Sequence, residues 1–376
     1  MSRALDPYRA RLTDPEPEPE PARLCYAATR IVMKDAYADV RHSLEHPGTP
    51  EEIARYVDWE ATASLRTRLD SLGFGIAEAM DTAQRFDIGW HTAKRLVQMT
   101  GELGLANGFC AGAGVDHLGS IRGPDDLVEG VCHQARDIQS HGGEVILLPL
   151  AWLSIHGVDE ATYVETYTRI IERLDGPLFV HWLGPMFLSS LEGYFPGESF
   201  RRIMEFDPTK VRGAKLSMLD AELEIRLRAD LLTRDQLMLT GDDFHFAGLI
   251  QGGDGVTAPK IERTTRVGDR VVPLGDFSHA LLGVLDGIAE PASVALRFLS
   301  RGDVTTYAEL MEPCEELGRS LFEAPTQHYK AGLARLSHAL GLQSNDLLAN
   351  HQQRERGTAH YDRVLTLARE ARLGIT

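Results

Sequence analysis

Eight short apolar segments succeed one another along the chain, at about Leu24–Val32, Phe74–Met80, Ala106–Ala113, Glu144–Leu150, Leu178–Leu183, Val211–Leu216, Gln236–Thr240 and Gly253–Val256. Most are followed by a stretch in which apolar residues return at helical spacing. Strands alternating with helices bury both faces of a parallel sheet, and eight such units predict an α/β fold closed as a (β/α)8 TIM barrel. Local signals agree with this. Asp58 can cap a helix starting at Trp59, and Pro124-Asp125-Asp126 opens one running through Val131. The last two strands stand only a short way apart, so the helix between them is expected to be short.

The chain continues past the eighth strand. Phe277–Leu299, Thr305–Leu321, Pro325–Leu340 and Arg354–Arg372 read as amphipathic helices. The first would close the barrel and the others would form a bundle against it. At the other end, acid and proline alternate from Asp14 to Pro21, a stiff solvated arm unfit for a helix or a central strand. The expected organisation is a disordered acidic arm over 1–22, a barrel over 23–300 and a C-terminal helical extension over 301–376.

Composition narrows the function classes. With 39 Lys+Arg against 55 Asp+Glu, the 376-residue chain carries a formal charge of −16. That balance argues against a nucleic-acid binder, which needs a basic surface to displace counterions. It leaves room for an anionic small molecule held by a local cationic cluster. The first residues lack an apolar signal core, and no stretch approaches the length needed to span a membrane, so a cytoplasmic protein is expected. Cys25, Cys110, Cys132 and Cys314 lie far apart without paired spacing, which reads as reduced, buried thiols and not as a zinc site.

A barrel carries its chemistry at the C-terminal ends of its strands. Those ends hold Glu78, Asp81, Thr82, Gln84 and Arg85 after strand two, Gly112, Asp116 and His117 after strand three, and Trp152 and His156 after strand four. Strand five ends at His181, strand six at Lys215 and Ser217, strand seven at Asp242, Asp243 and His245, and strand eight at Gly253. Lys215 is the informative residue. It stands inside the apolar run Val211-Arg-Gly-Ala-Lys-Leu-Ser217, where loss of water favours the neutral amine. A neutral amine can attack a carbonyl to form a Schiff base. The other reading of the same lysine is an ion pair with Asp81, Asp242 or Asp243. Arg85 reads as a surface ion pair or an anion ligand, and His117 and His156 as pocket lining.

The stretch VRGAKLSMLDAE resembles the sixth-strand lysine segment of the dihydrodipicolinate synthase and N-acetylneuraminate lyase superfamily of class I aldolases. LTGDDFHFAGLIQGGDGVTAP resembles that superfamily's seventh and eighth strands, FCAGAG its third-strand Gly-Ala-Gly, and VDWEATASLRTRLDSLGFG its first helix. The likeness runs in order from about Arg23 to Leu340, and the branch it points to is a divergent, uncharacterised one. It implies Lys215 as the Schiff-base lysine at the end of strand six, and assembly as a homodimer or homotetramer. Where the superfamily carries Gly-Thr-Thr-Gly-Glu after strand two, this chain has Met80-Asp81-Thr82-Ala83-Gln84, keeping only Thr82 of the two threonines. An aspartate there repels an oxo-acid carboxylate and argues against pyruvate as donor. The strand-five tyrosine that relays protons in the superfamily aligns with His181, which can do general acid–base work.

The leading expectation is a lyase: Lys215 attacks a small-molecule carbonyl substrate, a keto acid or a sugar-derived carbonyl compound, His181 moves the proton, and a carbon–carbon bond forms or breaks. Asp81, Thr82, Gly112, Asp242, Asp243 and Gly253 are the expected substrate contacts. The imine is the electron sink, so no metal or organic cofactor is expected. The excess of Asp and His at the mouth suggests a polyhydroxylated, sugar-derived carbonyl compound. A first alternative gathers Glu78, Asp81, His117, His181 and His245 around a divalent cation for lyase, isomerase or hydrolase chemistry. A second is a catalytically inactive ligand-binding barrel with no enzymatic turnover.

Overall fold

The computed structural model describes residues 1–13, 22–257 and 259–375. Among the described residues ten strands form: β1 (Cys25–Ala28), β2 (Gly75–Glu78), β3 (Phe109–Ala113), β4 (Glu144–Leu147), β5 (Leu178–Leu183), β6 (Val211–Ser217), β7 (Leu237–Thr240), β8 (Arg263–Val267), β9 (Arg270–Leu274) and β10 (His279–Leu282). Eight of them close a parallel barrel in the order β1-β10-β7-β6-β5-β4-β3-β2. β8 and β9 pair only with each other, as an antiparallel hairpin.

Alternation along each strand divides the core in two. Tyr26, Ala77, Cys110, Ile146, Phe179, Leu239 and Leu281 fill the barrel interior, while Ala27, Ile76, Ala111, Val145, Val180 and Ala280 pack outward under the helices. The four cysteines are free and buried. Glu78 also points outward. Its carboxylate takes two hydrogen bonds from Arg66, at 2.5 and 2.8 Å, one from Thr100 and one from the Ala79 N–H. Burial pushes this carboxyl up, but the Arg66 charge and the hydrogen bonds outweigh it and hold it below the usual range.

Two expectations are corrected here. The eighth barrel strand is β10 and not Gly253–Val256. The true strand, His-Ala-Leu-Leu, runs straight into the apolar helix Leu285–Ser300, so strand and helix merge into one apolar stretch in the sequence. Between β7 and β10 the chain passes through the short helix Phe246–Gln251 to the opposite end of the barrel and forms the hairpin there. Val267, Val272 and Leu274 of the hairpin join the interior core. Arg270 bonds both Glu144 and the Tyr26 hydroxyl at the start of β4 and β1. His279, held neutral by burial, accepts from the Leu24 N–H and donates to the Pro273 carbonyl.

The second correction concerns the expected disordered arm. Residues 14–21, which contain the acid–proline alternation, lie outside the described residues. Before them, the helix Asp6–Thr13 is docked on the body, with Leu5 and Leu12 fully buried and Arg11 bonded to Asp303 and Thr306.

Past the helix Leu285–Ser300 the extension forms the helices Val304–Leu321, Tyr329–Ala339 and Thr358–Glu370. They do more than lie against the barrel wall. Lys330 donates to Asp81 at 2.8 Å, Tyr329 and Thr82 share a 2.8 Å hydroxyl contact, and Gln84 pairs with the backbone of Ala349 in both directions. The extension is thereby tied to the loop after β2, at the mouth of the barrel.

The Arg66–Glu78 pair offers a test of the fold. Replacing Arg66 with Met would leave a buried carboxylate without its countercharge, at a cost of about 3–5 kcal/mol. The expected result is a markedly lower urea midpoint with an unchanged slope.

Candidate active site

The longest strand pairing in the barrel, β5 with β6, puts His181 directly beside Lys215. In a parallel ladder neighbours in register face the same way, so both side chains enter the barrel at its C-terminal end. They do so at the floor of a cavity of about 440 Å³, within the range of about 300–1,000 Å³ usual for small-ligand sites. The Lys215 amine makes no ion pair or hydrogen bond among the described residues, and it opens into this cavity. Burial lowers its pKa, against an opposing pull from Asp243. Asp243 in turn is raised by burial, and its Oδ1 accepts the Val284 N–H at 3.0 Å.

His181 is pushed well down by burial and then by the Lys215 charge, so it stands as a neutral imidazole. Its Nε2 lies 3.2 Å from the Ser217 hydroxyl, and its Nδ1 is buried with no partner among the described residues. Gly241, just after β7, makes room for this group. A Cβ there would come within 2.2 Å of Ser217 Oγ and 2.9 Å of Lys215 Cε. The Thr-Gly-Asp-Asp motif therefore contributes through its glycine as well as through Asp243.

The roof comes from the extension. Tyr329 and Phe322 stack with ring centroids 4.2 Å apart, and both line the cavity. The Tyr329 hydroxyl reaches Thr82, and burial raises its pKa well above the ordinary value, which keeps it a proton donor. Neither residue could be assigned from the sequence, because local periodicity does not say where a late helix docks. The pairing of Asp81 with Lys330 also gives the substitution in the strand-two loop a structural account: the aspartate anchors the extension, and its charge is compensated.

The other expected site residues fall elsewhere. Gly112 lies beneath the cavity, its carbonyl taken by Arg85. Asp242 is buried in its own turn, accepting the N–H groups of Phe244 and His245 and bonding the His245 ring at 2.8 Å. Gly253 is at the far end of the barrel, its N–H on the Asp276 carbonyl beside the hairpin, so it cannot serve the mouth. Arg85 is a buried residue of the wall and not a surface one, bonded to both oxygens of Asp116 and to Gln134. His156 is stacked on Trp152 outside the cavity, and His117 bonds Gln134.

Of the five residues in the metal alternative, only Asp81 and His181 line the cavity. Glu78 is bound to Arg66 outside the barrel, and His245 is bound to Asp242. Among the described residues no group of three or more His, Cys, Asp or Glu side chains is arranged to hold a metal ion. The set does not converge, and that alternative is set aside on its geometry. Among the described residues, too, no helix is long and apolar enough to cross a membrane.

The architecture and mouth define a (β/α)8 barrel with an amine-bearing pocket closed over by C-terminal helices. The chain belongs to the family described as protein of unknown function, DUF993, whose model matches residues 3–374. No curated protein matches the sequence. Among solved structures it is similar to a putative dihydrodipicolinate synthetase from Pseudomonas aeruginosa, at 13% identity and a TM-score of 0.63, covering 93% of this chain and 100% of that one. Dihydrodipicolinate synthase from Bacteroides thetaiotaomicron is similar at 14% identity and a TM-score of 0.63, over 92% and 98% of the two chains. A chloride-inhibited dihydrodipicolinate synthase from Acinetobacter baumannii, complexed with pyruvate, follows at 14% identity and 0.61, over 94% and 99%. At these identities the likeness establishes the fold, in agreement with the superfamily resemblance of the sequence.

Gly241→Ala tests the crowding at the floor. The added methyl must displace Ser217 or Lys215, and the variant is expected to remain folded by circular dichroism while Lys215 loses its reactivity toward an amine-directed acylating reagent.

Proposed function

We propose that the protein is a Schiff-base-forming lyase, acting on a small carbonyl compound in which it makes or breaks a carbon–carbon bond. The observation that carries this reading is Lys215: a partly desolvated amine, without a countercharge in contact, at the floor of the mouth cavity. The lowered pKa raises the fraction of neutral amine near neutral pH, and the neutral form is the nucleophile. Attack on the carbonyl carbon forms the C–N bond, and the carbonyl oxygen leaves as water after taking up two protons. The resulting iminium withdraws electrons from the adjacent carbon, which lets a bond at that carbon break or form.

The proton carriers follow from the geometry. Tyr329 is held protonated beside Thr82, so this hydroxyl pair can deliver a proton to the departing oxygen or to the carbanionic carbon. His181, neutral and bonded to Ser217, is suited to orient a hydroxyl or accept a hydrogen bond next to Lys215. It takes a positioning role, whereas Tyr329 takes the acid–base role that the sequence suggested for His181.

Borohydride reduction in the presence of a carbonyl panel is expected to leave a stable adduct on the Lys215 peptide, absent in Lys215→Ala. An adduct on another lysine would overturn the reading. Saturable binding without any adduct would favour a ligand-binding barrel. The adduct yield should rise with pH as the amine loses its proton, and level off below the pH at which an ordinary lysine would. Tyr329→Phe should slow turnover by about 100-fold or more while leaving the fold intact.

A further inference from the structure

We infer that the carbonyl compound taken by this pocket is uncharged and apolar, with a branched aliphatic or aromatic arm, and is not a sugar or an oxo acid. The inference rests on Lys215 as the carbonyl-binding group. The wall above Lys215 is built from Leu118, Ile121, Leu148, Trp152, Phe187 and Phe322. The polar side chains lie at the floor (Lys215, Ser217, His181, Asp243), at the loops after β2 and β3 and where Tyr329 meets Thr82; of the charged ones at the loops, Asp81 is paired with Lys330 and Arg85 with Asp116. A hydroxylated chain lying along the wall would lose its water without gaining partners, which costs about 1–3 kcal/mol for each unpaired group. An apolar arm in the same place is favoured by its own burial.

The rim extends the same surface outward. Phe86, Ile155 and Leu188 all border the cavity and are 64%, 63% and 37% exposed. Large apolar side chains this exposed, gathered around one opening, mark a surface that receives an apolar partner. Continuity with the wall down to Lys215 identifies that partner as the arm of the substrate.

Charge points the same way. Besides Lys215, the cation among the described lining residues is Arg85, and Asp116 holds it through both oxygens. Lys330 at the edge is committed to Asp81. A substrate carboxylate would find no unpaired side-chain cation apart from the amine that must attack its neighbouring carbonyl. The acid-rich strand ends that suggested a polyhydroxylated compound are accounted for otherwise: Asp116, Asp81 and Asp242 are engaged by Arg85, Lys330 and His245.

The test is borohydride trapping across a concentration series of four probes: benzylacetone, methyl isobutyl ketone, pyruvate and dihydroxyacetone. Peptide mass locates the adduct, and calorimetric titration of each probe without borohydride is run in parallel. Half-maximal trapping on Lys215 is expected at concentrations at least about ten-fold lower for benzylacetone than for pyruvate or dihydroxyacetone. Phe86→Ser and Ile155→Ser, both at exposed positions, should weaken benzylacetone by about ten-fold and leave methyl isobutyl ketone little changed. Preferential trapping of pyruvate or dihydroxyacetone on Lys215 would overturn the apolar assignment and leave the imine mechanism standing. Saturable heat with benzylacetone but no adduct would do the reverse. Neither heat nor adduct with any probe would overturn both.

Discussion

Desolvating one amine organises the mouth of this barrel. A lysine on an inward position of β6 has no path to bulk water except through the cavity above it, and its surroundings decide which protonation state it holds. Asp243 is near enough to favour the cation but is itself raised by burial, so the countercharge is weak. Gly241 leaves the volume the lysine stem occupies, His181 stays neutral beside it, and Tyr329 and Phe322 stack over part of the cavity. Each of these choices would be unremarked in a core. Together they raise the share of uncharged amine while leaving it accessible, two conditions that normally oppose each other.

The extension belongs to this arrangement. A barrel of this fold could be complete at the helix Leu285–Ser300, yet residues beyond it supply the roof of the cavity and its best-placed phenol. The ion pair between Asp81 and Lys330 fixes the register of that roof over the loop after β2. Read in isolation, the aspartate looks like a defect in a carboxylate-binding loop; in the folded chain it is a docking point.

How much of this was legible in the sequence depended on whether the signal was local. Lys215 stood out because a charged residue inside an apolar strand is locally anomalous, and His181 followed from its place at the end of β5. The barrel could be read from repeated strand–helix alternation. β10 was missed since His279–Leu282 merges with the apolar helix after it, and Gly283 is the one break between them. The glycine-rich turn at Gly252–Gly255 imitated a strand end while serving the approach to the hairpin. Residues 3–13 were hidden by the acid–proline stretch that follows them, although Leu5 and Leu12 recur at helical spacing. Tyr329 and Lys330 were out of reach, because their roles depend on contacts across more than two hundred residues of chain.

The hairpin of β8 and β9 has a consequence for traffic through the molecule. With Val267, Val272 and Leu274 wedged into the far end and Tyr26, Phe179 and Leu239 packed across the middle, the cavity is a cul-de-sac. Everything that enters must leave by the same opening. In a lyase of the proposed kind, the fragment attached to Lys215 sits at the blind end, and the fragment released by bond cleavage lies between it and the exit. Departure is therefore ordered by topology: the outer fragment goes first, and the inner one follows once water has reached the imine.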